Sequence, residues 1–197
     1  MARAATSLRQ MVEHEVLLSV PTVDIVSQEA AAQIVGKPDN ASVVAVHQDF
    51  SGVFSGRALL IFPEANSLEL VRAVVGPHLP LEDIVDLEDE ALAETGNIIL
   101  NSWVATVSNL LRRTVKMSLP MVIRGDSRHM FQSVADPESL VLFLRIRFEI
   151  SRKEIVGYVA LMMDVPSIEQ LRSLIADFIS SVTQTDGPDP ASLASGD

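Results

Sequence analysis

Glu90-Ala91-Leu92-Ala93-Glu94-Thr95-Gly96-Asn97-Ile98-Ile99-Leu100-Asn101, running on without a proline to Leu111, is the stretch around which the chain is organised. Leu92, Ile99, Trp103, Val107 and Leu110 recur at spacings of three, four and seven, so the spacing predicts a long helix with one buried face. Its single glycine, Gly96, costs only about 1 kcal/mol against alanine and can let a neighbour approach closely. At about 100° per residue, Glu90, Glu94, Asn97, Asn101 and Ser108 share a narrow polar stripe away from Trp103. Glu94 and Asn97, three apart, project alike from neighbouring turns. A carboxylate there can hold a cation, and a carboxamide can orient water through its donor or its acceptor. The same stripe also suits a plain solvated face.

Outward from this helix the chain repeats. Val23-Asp24-Ile25-Val26 alternates and leads into a helical turn at Gln28–Val35. Residues 41–50 form a strand with Val44, Val46 and Phe50 on one face, Ser51-Gly52 turns, and 53–62 return as a hairpin. Asn66-Ser67-Leu68-Glu69 resembles a capping box opening a helix to Val75, stopped by Gly76-Pro77. Past the central helix, Ser118-Leu119-Pro120-Met121-Val122 echoes Ser19-Val20-Pro21-Thr22-Val23. Strands at 140–150 and 155–163 echo the first hairpin, and Ser167-Ile168-Glu169-Gln170 echoes the capping box. Pro21 and Pro120 lie 99 residues apart, Gly56 and Gly157 101, and Ser67 and Ser167 100. A nearly constant offset implies a duplicated helix–hairpin–helix unit. The expected fold is therefore α+β: one domain over 1–182, with halves of about 5–80 and 81–182, whose two hairpins join in an antiparallel sheet covered by long helices. Residues 5–18 are expected as a short helix ended by Pro21, and 183–197, polar and rich in Pro and Gly, as a disordered tail. At the repeat offset, first-copy equivalents of Glu94 and Asn97 would precede Met1, so a site on this helix occurs once.

Composition removes several function classes. Among 197 residues, 26 are acidic and 15 basic, a formal net charge of -11, which disfavours nucleic acid and anionic membranes as partners. There is no cysteine, so thiol catalysis and Cys-zinc sites are excluded, and a cytoplasmic setting is expected. Neither a signal peptide nor an apolar run of membrane-spanning length is read. The carboxylates at Glu82, Asp83, Asp86, Glu88 and Asp89 suit the positive end of the central helix better than a metal loop, while Arg112, Arg113 and Lys116 suit its other end. His14, His47, His78 and His129 lack metal-ligand spacing, and Ser51–Gly56 is a turn without the lysine of a phosphate loop.

The motif residues resemble the CheC/CheX/FliY phosphatases of bacterial chemotaxis. That family carries Asp or Ser, three residues, Glu, two residues, Asn, twenty-two residues and Pro. Glu94, Asn97 and Pro120 satisfy it, with Glu90 in place of the first Asp or Ser. A proline required at one fixed position makes a chance match about twentyfold rarer. The resemblance, reinforced by the duplicated halves over roughly residues 15–180, implies a CheC-like fold with a single active site. It implies hydrolysis of the phospho-aspartate of a CheY-like response regulator. Glu94 would pair with a regulator lysine, Asn97 would place the attacking water, and Glu90 and Asn101 would touch the partner, with Pro120 structural. The chain would bind no metal or cofactor of its own, Mg2+ being supplied by the regulator's acidic pocket. The alternative is a non-catalytic CheC/FliM-like binding or scaffold module in chemotaxis or flagellar-switch signalling. Relatives with one motif can also pair as homodimers through a sheet edge.

Overall fold

The computed structural model describes residues 16–36, 42–68, 70–71, 87–132, 140–150 and 153–185. In chain order these form β1 (Val16–Ser27), α1 (Gln28–Val35), β2 (Val43–Gly52), β3 (Gly56–Pro63), α2 (Glu88–Leu110), β4 (Val115–Met117), β5 (Met121–Gly125), α3 (Ser127–Gln132), β6 (Leu140–Ile150), β7 (Lys153–Met163) and α4 (Val165–Thr185). The strands make one seven-stranded sheet in the order β1-β6-β7-β3-β2-β4, with β5 also on β2, and every pairing is antiparallel.

The duplication is visible in this order. The hairpins β2–β3 and β6–β7 meet along β3 and β7, with Arg57 opposite Met162 and Ile61 opposite Tyr158. Each half's first strand crosses to the other half's hairpin: β1 pairs with β6, and β5 with β2. The echoed prolines mark equivalent breaks. β1 shifts register between Ser19 and Thr22, around Pro21, while its counterpart divides into β4 and β5 at Ser118–Pro120. Proline has no N–H to give the ladder, so strands yield there. Gly157 sits at the central seam, where a Cβ would stand 2.9 Å from the Phe62 ring.

Helices cover both faces of the sheet, not one. On the first, α2 and α4 bury Leu92, Ile99, Leu100, Ile168 and Leu171 against Val44, Val46, Phe50, Leu60, Phe62, Leu144 and Leu161. On the second, the short α1 and α3 bury Ala31, Val35, Met130 and Phe131 against Val43, Ala45, Leu59, Ile61, Phe143 and Met162. Two-sided burial explains the unbroken apolar runs 43–46, 58–62 and 159–163, which simple alternation does not describe.

Several boundaries differ from the sequence expectation. Val16–Leu18 belong to β1, while the rest of the helix expected over 5–18 lies outside the described residues. Pro21 therefore stands inside a strand. β3 starts at Gly56, and α4 extends to Thr185, with 186–197 outside the described residues. Ser67 is helical, but Glu69, the stretch to Gly76-Pro77 and the carboxylates of 82–86 are outside them too. Leu110, expected on the buried face, is 50% exposed, because the packed line of α2 runs through Trp103, Val107 and Leu111 instead.

Ser167 is not the cap of α4. Its hydroxyl is buried and accepts from the Ser55 N–H at 3.1 Å, while Asp164 accepts the Ser167 N–H at 2.8 Å. Hydrogen bonding to the Ser167 hydroxyl and N–H holds the Asp164 carboxyl below its ordinary value. A depressed carboxyl contributes stability above its unfolded pKa and loses it as pH falls through the folded one. Asp164→Ala should cost about 1 kcal/mol at neutral pH and progressively less in acid, whereas Asp164→Asn keeps the cap without that pH dependence. Urea midpoints measured across the acid range check both outcomes.

The ends of α2 are fixed by charge and by backbone. At its start Arg124 of β5 reaches Asp89 at 2.6 Å, Glu88 at 3.3 Å and Glu64 at 3.7 Å. At its end the Arg113 N–H bonds the Ser108 carbonyl and the Arg112 N–H that of Asn109, a Schellman closure. This puts Arg112 at φ 51, a conformation that suits glycine. Arg112→Gly should raise stability by about 1 kcal/mol, read as a higher melting temperature.

Candidate functional site

The polar stripe of α2 lies across the middle of β2, where Gln48 faces the β4–β5 break. Glu90 and Glu94 are exposed and make no ion pair among the described residues. Asn97 and Asn101 are half-buried. Asn97 reaches this depth because the helix runs close to the sheet: a Cβ on Gly96 would stand 2.5 Å from Val46 Cβ. Asn97 therefore lies deeper than a residue on a fully solvated helix face.

Beneath Asn97 lies Gln48, 0% exposed, a residue the sequence reading passed over. Its Nε2 donates to Asn97 Oδ1 at 3.1 Å and to the Ser118 carbonyl at 2.8 Å. Asn101 Nδ2 also donates to Asn97 Oδ1, and to the Asn97 carbonyl at 2.8 Å. Asn101 thus braces Asn97 from the next turn. The signal for Gln48 was present: it shares the inward phase of β2 with Val44, Val46 and Phe50, and a buried amide needs partners.

The break before Pro120 is anchored to the same strand. The Ser118 N–H donates to the Asp49 carbonyl at 2.8 Å, and the Asp49 N–H to Ser118 Oγ at 2.9 Å. The motif's proline thereby ends a fixed turn, from which Leu119 projects 85% exposed. Gln48 joins that turn to the helix through one nitrogen, so the turn before Pro120 lies beside Asn97 although the two motif positions are 23 apart in the sequence.

Other polar residues lie elsewhere. Asp49 and Arg57 pair at 2.8 Å on the opposite face of β2, next to His47. His47 is held below its ordinary value by burial and by Arg57, against the opposing pull of Asp49. His129 is exposed on α3, and His14 and His78 lie outside the described residues. Among the described residues no cluster of three or more His, Asp or Glu could hold a metal ion, and no helix is long and apolar enough to cross a membrane.

The family described as chemotaxis phosphatase CheX matches residues 44–144, which contain the hairpin, the whole of α2 and the Pro120 turn. The chain belongs to the CheC/CheX/FliY family. The CheY-P phosphatase CheC of Bacillus subtilis (strain 168) is 22% identical over 181 residues, covering 85% of this chain and 84% of its own. FliY from Thermotoga maritima has the same fold, with a TM-score of 0.68, 16% identity and 89% coverage of both chains. CheX from Borrelia burgdorferi, in a structure with CheY, BeF3 and Mg2+, gives a TM-score of 0.51 at 17% identity, over 83% of this chain and 95% of that one. The CheC/CheX/FliY fold is thus α+β, with an antiparallel sheet and packed helices, and a chemotaxis role of the CheC type follows from membership.

Proposed function

We propose that this protein accelerates hydrolysis of the phospho-aspartate of a CheY-like response regulator, with Glu94 and Asn97 as the working pair. The carrying observation is the pinned carboxamide of Asn97, three residues from the exposed carboxylate of Glu94 and beside the anchored Pro120 turn. Such a surface can enter a neighbour's active site, and the CheX solved with CheY supports a regulator as that neighbour. Glu94 would meet a lysine of the regulator, Glu90 would add to the acidic rim, and Asn97 would reach the phosphoryl group. Asn101 serves here as a brace. Mg2+ comes with the regulator's own carboxylates, so this chain needs to supply none.

In the reaction the water oxygen bonds to phosphorus as the bond from phosphorus to the aspartate oxygen breaks. The aspartate leaves as a carboxylate, and inorganic phosphate takes both hydrogens of the water. Phosphoryl transfer depends chiefly on positioning and charge stabilisation, so an amide can act without a general base. Phosphorylated CheY-like regulators should lose phosphate faster with this protein, each molecule of which turns over many regulators. Unchanged decay for every regulator of the host would leave the scaffold reading, and binding that survives loss of both Glu94 and Asn97 would favour it.

Leu119 should supply docking area next to the site. Leu119→Ser should raise KM several-fold, by about 1–2 kcal/mol of lost apolar burial, with kcat nearly unchanged. Initial rates over a range of phospho-regulator concentrations separate the two constants.

A further inference from the structure

We infer that Gln48 is a positioning residue that turns the N–H end of the Asn97 carboxamide outward, so the site presents a hydrogen-bond donor and not an acceptor. The inference rests on the phosphatase reading for its meaning but not for its geometry.

Two backbone carbonyls, which can only accept, fix the orientation of the amides around them. The Ser118 carbonyl can only accept, so the Gln48 atom facing it is Nε2. That same atom faces the side chain of Asn97, so the Asn97 atom opposite must be the oxygen. Independently, the Asn97 carbonyl can only accept, so the Asn101 atom facing it is Nδ2. That nitrogen also faces the Asn97 side chain, and again requires its oxygen there. Gln48 and Asn101, on opposite sides of Asn97, thus require the same orientation of its amide. Both lone pairs of Asn97 Oδ1 are then occupied, and Nδ2 makes no hydrogen bond among the described residues. Flipping the amide would set N–H against N–H twice.

Gln48 is an odd residue for stability alone. It is fully buried among Val44, Val46 and Phe50 on its face of β2, and its Oε1 has no hydrogen-bond partner among the described residues. An unsatisfied buried carbonyl is costly, so methionine or leucine would suit the core at least as well. What those residues cannot do is donate to Asn97 and Ser118 at once. Gln48 thus couples the amide of α2 to the turn bearing Leu119 and Pro120, and the group met by an incoming oxygen, of water or of the phosphoryl group, is an N–H. This narrows the role of Asn97: it holds or stabilises an oxygen and does not take a proton from it.

Gln48→Met in the full chain, with its melting temperature recorded beside the wild type, tests this. Turnover of phosphorylated regulator should fall, up to about a hundredfold as for a misplaced reacting group, with KM unchanged and the melting temperature near that of the wild type, because relief of the unpartnered Gln48 Oε1 offsets the two lost hydrogen bonds. Asn101→Ala should act in the same direction, and the two losses should be less than additive. A second readout needs no regulator. In the 15N-labelled wild type, both side-chain amide protons of Gln48 should exchange slowly with solvent while those of Asn97 exchange rapidly. Slow exchange at Asn97 with fast exchange at Gln48 would overturn the inference, as would a Gln48→Met protein with wild-type kcat. If the wild type accelerates no regulator's decay, the phosphatase reading fails alone, and the exchange pattern still decides the orientation of Asn97.

Discussion

Asn97→Ala should remove acceleration of regulator dephosphorylation, a loss on the order of a hundredfold to a thousandfold in kcat, comparable to deleting one preorganised donor from an active site. KM should change little, because Glu94, Glu90 and Leu119 remain to bind the regulator. The variant should fold. Gln48 Nε2 keeps its bond to the Ser118 carbonyl, and the loss of its second acceptor costs about 1 kcal/mol. Single-turnover decay of phosphorylated regulator, with circular dichroism on the same preparation, measures both. A variant retaining wild-type turnover would remove Asn97 from the chemistry.

Gly96→Ala should destabilise the protein and weaken its activity together. Alanine is the better helix former by about 1 kcal/mol, which alone predicts stabilisation. Its Cβ, however, would lie 2.5 Å from both Cβ and Cγ1 of Val46, in the fully buried middle of β2. A β-branched side chain held between strands has no other rotamer to retreat into. Overpacking of this kind costs about 1–3 kcal/mol, so the net result is destabilisation, with α2 displaced from the sheet. That displacement separates Asn97 from Gln48, so turnover should fall together with stability. Val46→Gly in the same chain removes the Cβ and both γ-methyls that the new methyl meets: the double variant should be more stable than the two single changes predict by addition. Urea denaturation of the four proteins gives the interaction term. Plain additivity would mean that Gly96 is not what brings the helix close.

How far the sequence carries this account depends on which residues bear the information. The long helix, both hairpins and their duplication were legible, because 3.6- and 2-residue periodicities and a constant offset are local properties of the chain. Family membership was legible from Glu94, Asn97 and Pro120. What was not legible depends on a second element. Leu110 fits the helical stripe, yet Leu111 takes the packed position at the end of the helix. Ser167 fits a capping box, yet Asp164 caps, and the serine serves the Ser55 N–H instead. The short α3, with Met130 and Phe131, gave no periodic signal because six residues are too few to show one. Asn101 gave no reason to expect a brace, since its partner is the side chain one turn earlier. Gln48 could have been found by asking which residue shares the inward phase of Val44 and Val46.

The central claim is that one surface, bearing Glu94, Asn97 and Leu119, meets the phosphorylated site of a regulator. Titrating 15N-labelled protein with a BeF3-activated CheY-like regulator addresses it directly. The account predicts that the largest shifts fall on the Asn97 side-chain amide, the backbone of Glu94 and the turn from Ser118 to Met121, and that unactivated regulator produces much weaker shifts. Shifts confined to His47, Asp49 and Arg57 on the opposite face, with Asn97 unmoved, would contradict it.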